Sequence, residues 1–75
     1  MKKKKWTHEK YQKMVNDMKG AAAEMEEAGV DWGEASYQSA VDTIDQDKDL
    51  KEFMRKEMGV QDQVGRLADD FYAAG

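Results

Sequence analysis

The chain contains no cysteine and no proline. Without cysteine there is no disulfide staple, no thiolate metal site and no sulfur nucleophile. Without proline, no residue lacks the backbone donor that a helix interior needs. Large aliphatic residues are also scarce, with five Val, two Leu and one Ile among 75 residues. Together with two Phe they make about 13% of the chain, a level associated with disorder only when net charge is high. The net charge here is −4, so that second condition is missing. No apolar run approaches the ~20 residues a membrane span requires, and no secretory hydrophobic segment follows the opening lysines. At 8.6 kDa the chain is long enough for one small core.

What is present is charge, unevenly placed. Residues 1–20 carry seven lysines against Glu9 and Asp17, a sum of +5, whereas residues 21–75 sum to −9. A basic head therefore precedes an acidic body. The division predicts an N-terminal arm over residues 1–6 (Lys2, Lys3, Lys4, Lys5 and Trp6) and a single helical domain over 7–75.

Apolar residues recur at steps of three and four, never in the alternation a strand needs. Thr7 is a good N-cap, with Trp6 before it and Tyr11 placed to complete a hydrophobic staple. Tyr11, Met14, Val15, Met18, Ala22 and Met25 form one stripe, closed by Gly29 and Val30. Asp31 opens a second helix with Glu34 in the capping-box position, and Trp32, Ala35, Tyr37, Ala40, Val41 and Ile44 supply its apolar side. Asp45, Asp47 and Asp49 then crowd in, and Asp breaks helix interiors while favouring caps. A third helix uses Leu50, Phe53, Met54 and Met58 before a second Gly-Val corner. A fourth uses Val64, Leu67, Ala68, Phe71 and Tyr72. The pattern predicts an all-α fold: a small bundle of three to four helices, one long (about 8–28) and three shorter (about 32–45, 49–58 and 62–73). Opposite charges four apart, Asp47 with Lys51, Glu52 with Lys56 and Asp62 with Arg66, fit exposed helix faces.

The search for chemistry is mostly a series of exclusions. Asp45-Gln46-Asp47-Lys48-Asp49 imitates the start of an EF-hand calcium loop, but Leu50 replaces the turn glycine and Lys56 the closing glutamate. His8, the single histidine, has no nucleophile near it in sequence. Glu24, Glu26 and Glu27 lack the Glu-x-x-His partner of a carboxylate-bridged metal site. No phosphate-cradling glycine loop occurs. The expectation is a non-enzyme without metal or cofactor.

Binding is what remains. The sequence predicts an acidic helical module that docks on another protein or protein complex as an inhibitor or adaptor. Glu34, Asp42, Asp45, Asp47, Asp49 and Glu52 are its candidate contact residues. Small, cysteine-free, acidic helical proteins are common among virus and mobile-element (phage) accessory genes, and some present a DNA-like carboxylate surface; this is an analogy of composition. The alternative is a nucleic-acid-binding regulator acting through the Lys2–Lys5 arm, with Trp6 ready to stack on a base. Three Asp residues across Asp62–Asp70 argue against a recognition helix there. The expected location is cytoplasmic.

A homodimer is also expected, because helix 1 carries lysines at its start and glutamates at its end, the reverse of what the helix dipole favours. An antiparallel copy would place Lys10 by Glu27 and Lys13 by Glu24. Tyr11, Met14, Met18, Ala22 and Met25 would then line the seam.

Overall fold

A computed structural model of the protein describes residues 6–75 and contains four helices, with no strand among the described residues. The helices are α1 (His8–Glu27), α2 (Trp32–Gln46), α3 (Lys48–Lys56) and α4 (Gln63–Ala74). The all-α bundle with a long first helix is therefore as the periodicity implies. At 1.5 Å per residue α1 is about 30 Å long, which accounts for most of the molecule's 39 Å long axis.

The ends of the helices are set by local chemistry. Thr7 Oγ1 accepts from the Lys10 N–H at 3.1 Å, and the Asp31 carboxylate accepts from Gly33 at 3.0 Å. Asp47 and Asp62 do the same for Leu50 (3.1 Å) and Gly65 (3.0 Å). Each side-chain oxygen thereby satisfies a donor the helix cannot use internally. Gly29 takes φ +84° after α1. Val30 N–H then reaches the Met25 carbonyl at 2.8 Å and Gly29 N–H that of Glu26 at 3.0 Å, the paired closure of a Schellman turn. The Gly59 corner is wider. Val60 N–H returns to Met54 at 3.0 Å, one residue further back, so α3 ends at Lys56 and not at 58.

The core centres on α2 and α4, the most extensively packed pair, with α1 laid against α4. Trp32, Ala40 and Ile44 of α2 meet Leu67 and Phe71 of α4, and Leu50, Phe53 and Met54 close one end. Tyr11, Val15 and Ala22 of α1 complete the cluster, with Met14, Met18 and Met25 packed around it. The Trp32 indole is only 5% exposed and donates to the Phe71 carbonyl at 3.2 Å.

Two aromatics expected in the core are outside it. Tyr37 is 51% exposed and Tyr72 61%. On α2 the innermost line is Trp32, Ser36, Ala40 and Ile44. Ser36 and Ala40 are almost wholly buried because small side chains let α4 approach, and the Ser36 hydroxyl donates to the Gly33 carbonyl at 3.0 Å. Buried Gln63 likewise donates to the Val60 carbonyl at 2.7 Å. No buried side-chain polar atom among the described residues lacks a partner.

Trp32→Ala is expected to lower unfolding free energy by ~3–5 kcal/mol, since it removes a buried indole and leaves a cavity. Gly29→Ala, which forces a Cβ into left-handed backbone, should cost about 1–2 kcal/mol. Urea unfolding followed by helical circular dichroism measures both, and Trp32→Ala must be the larger loss.

Candidate interaction surface

Between Lys19 and Lys48 the chain has no basic residue of the Lys or Arg type, yet it carries Glu24, Glu26, Glu27, Asp31, Glu34, Asp42, Asp45 and Asp47. The fold distributes these over the second half of α1, the Gly29 corner and α2. Glu34, Asp42 and Asp45 are exposed and, with Gln38, recur at steps of four, four and three, so they share the outward strip of α2. None of the three has an ion-pair partner among the described residues.

The other three acidic candidates stand elsewhere. Asp47 is half-buried at the single-residue break between α2 and α3. There it caps α3 through Leu50 and accepts the Trp6 indole N–H at 3.2 Å. Asp49 and Glu52 lie on α3, whose surface also bears Lys48, Lys51, Arg55 and Lys56. Glu52 receives Arg55 at 3.0 Å and approaches Lys56 at 3.7 Å. The Arg55 hydrogen bond, followed by its charge, holds the Glu52 carboxyl below its ordinary value. Both partners are more than half exposed, so the pairing is a weak surface contact. The uncompensated carboxylate surface is thus α2 and the corner before it. Of the other charge pairs read four apart, Asp62 serves as a cap and Arg66 turns instead to Asp70, at 3.3 Å.

Lys2, Lys3, Lys4 and Lys5 lie outside the described residues. Trp6 is half-buried against the core, bonded to Asp47, and covered by the Lys10 ammonium 5.0 Å from its ring centroid. Its indole is engaged inside the protein. The residues expected at a dimer seam divide in two: Tyr11 and Ala22 are buried within one chain, while Lys10, Lys13, Glu24 and Glu27 are exposed on α1. Met14, Met18 and Met25 pack partly buried against that same intrachain core.

No group of three or more His, Asp or Glu among the described residues is disposed to hold a metal ion. The stretch resembling a calcium loop is instead the end of α2, one capping residue and the start of α3.

A polar cleft runs between α1 and α4, with His8, Tyr11, Asn16, Arg66 and Asp70 along it. Tyr11 donates its hydroxyl to Asp70, which Arg66 also contacts. Burial, reinforced by that hydrogen bond and the Asp70 charge, pushes the Tyr11 hydroxyl well above the ordinary tyrosine value. The His8 ring meets Phe53 edge-on at 5.3 Å. A tyrosine held this firmly protonated serves as a strut between α1 and α4. Comparison with known proteins gives no matching family model, curated protein or solved structure.

Tyr11→Phe is expected to cost about 1.5–3 kcal/mol, the range for a hydrogen bond to a charged acceptor. The folded-state value of Tyr11 lies above the unfolded one. Its stabilising contribution is therefore intact below about pH 10 and is lost as pH rises from there toward the raised value. Unfolding curves taken on either side of pH 10 should show that decline in the wild type and a shallower one in Tyr11→Phe.

Proposed function

We propose that the protein is a non-enzymatic interaction module, an inhibitor or adaptor, that engages a basic surface of another protein through the carboxylates of α2. The carrying observation is the outward strip Glu34–Asp42–Asp45, exposed and without ion-pair partners among the described residues, within a stretch free of lysine and arginine. Like charges gathered on one face oppose compaction, and lysines (Lys48 and Lys51) border this face only at its Asp45 end. A partner bearing Lys or Arg removes that repulsion on binding. The same charges speed encounter with a basic partner and repel nucleic acid. Glu34, Asp42 and Asp45 make no side-chain hydrogen bond or ion pair among the described residues and lie outside the core, so their charge is open to a partner. The analogy with virus and mobile-element accessory proteins belongs to this reading as a matter of composition alone. Cytoplasmic residence and a protein partner are parts of the same proposal, and no described helix is long and apolar enough to cross a membrane.

Glu34→Lys with Asp42→Lys and Asp45→Lys reverses the strip without touching a cap. Affinity capture from extract of the source cells, with wild type and this variant as paired baits, is expected to recover a partner that the variant loses at least about tenfold, a difference of 1.4 kcal/mol. Helical circular dichroism should be the same for both. Equal capture by the two baits refutes the reading. Retention of wild type on random duplex DNA at low salt would favour the basic arm instead.

A further inference from the structure

By position, the two exposed tyrosines lie along the furrow where α2 and α4 meet, which has a depression at each end. Gly33 on α2 sits so close to Tyr72 on α4 that a Cβ there would lie 3.7 Å from the Tyr72 ring. At the other end of the pair, Val41 and Ile44 of α2 line a depression with Val64 of α4. The two helices are therefore antiparallel along this edge. Gly33, Tyr37 and Val41 step along α2 at intervals of four, and Tyr72, Ala68 and Val64 answer them along α4 at the same interval. These positions form one apolar strip roughly two turns long at the margin of the core, with Val41, Val64 and Ala68 half-buried and Tyr37 and Tyr72 open to solvent. Solvated tyrosines in such a strip offer large contact area at small entropic cost, the property that enriches them at interfaces.

We propose that this furrow binds an amphipathic helix of another protein, apolar on the side facing Tyr37 and Tyr72 and bearing Lys or Arg along its flanks. Charge complementarity identifies the occupant. Glu34 and Asp45 lie on the solvent side of α2, Asp69 on that of α4, and Glu26 and Asp31 border the depression beside Tyr72. None of the five has an ion-pair partner among the described residues. Lys48 and Lys51 border the far end at Val64. The basic residues of the bound helix accordingly concentrate toward the Tyr72 end. This is helix-in-groove recognition with the charges on the rim and the aromatic contacts at the centre. The inference rests on the acidic-surface reading and specifies its partner.

The test uses the full chain, isotopically labelled, and a synthetic amphipathic helix of leucine and lysine, with the glutamate-for-lysine peptide as control. Amide resonances of Gly33, Tyr37, Val41, Ala68 and Tyr72 should shift with the lysine peptide and stay in place with the glutamate peptide. Tyr37→Ser with Tyr72→Ser, both at exposed positions, should weaken binding at least about tenfold with unchanged helicity. Shifts confined to other surfaces, equal response to both peptides, or undiminished binding by the tyrosine variant each overturn the furrow. The same shifts produced by raising the protein's own concentration would name a second copy as occupant and overturn it too. Glu34→Lys with Asp45→Lys separates the two proposals. If that variant loses the peptide while the tyrosine variant keeps it, the furrow falls and the acidic surface stands. If both keep it, both fall.

Discussion

The close approach of α2 to α4, fixed by the Trp32 indole donating to the Phe71 carbonyl, is the constraint on which the rest of the molecule depends. The bond joins residues 39 apart in sequence and lies in the buried interior. It requires small residues on the next two turns of α2, and Ser36 and Ala40 supply them. With those positions inside, Tyr37 rotates to the rim of the helix pair. The aromatic furrow is thus a geometric by-product of a tight helix contact. The outward strip of carboxylates is fixed by the same rotation, since Glu34, Asp42 and Asp45 occupy the face opposite the buried line.

A core with so few aliphatic side chains works by using aromatic and methionine volume instead. Tyr11, Trp32, Phe53 and Phe71 are buried, Met54 is wholly enclosed, and Met14, Met18, Met25 and Met58 fill the margins. Methionine suits this use because an unbranched thioether adapts to irregular gaps. Along α1 the methionines pack, partly buried, against the core of their own chain. Two long-range hydrogen bonds fix α1 in the bundle: Tyr11 ties the helix to Asp70 of α4, and the neighbouring Trp6 ties its start to Asp47.

Caps and corners were the most legible parts of the chain, because each is a local event written in one or two residues. Thr7, Asp31 and the Gly29-Val30 pair act where their chemistry says they should. Asp47 as the break between α2 and α3 follows equally from local preference, and three carboxylates in alternation left few other outcomes. Tyr37 and Tyr72 were misleading because aromatic residues at helical spacing read as core, while burial is decided by which partner helix comes near and how closely. Ser36 shows the converse: a polar residue is buried because its hydroxyl finds a carbonyl one turn back. Arg66 had carboxylates on both sides in sequence, at Asp62 and Asp70. The choice between them was made when Asp62 became a cap. Of the six acidic candidates, Glu34, Asp42 and Asp45 keep their place on the open face. Asp47 is used by the fold, and Asp49 and Glu52 share α3 with basic neighbours already visible in the sequence.

The lysine-free stretch has one more consequence, for covalent chemistry. From residue 20 to residue 47 there is no ε-amine and no guanidinium. Acetylation, ubiquitin attachment through lysine and amine-directed cross-linking all need a primary amine, so none can act through a lysine on α2 or the corner before it. Trypsin, which cuts after Lys or Arg, leaves residues 20–48 as a single fragment holding the whole of α2. Amine-directed chemistry therefore leaves α2 and the corner before it untouched, and residues 20–47 carry no positive side chain of the Lys or Arg type.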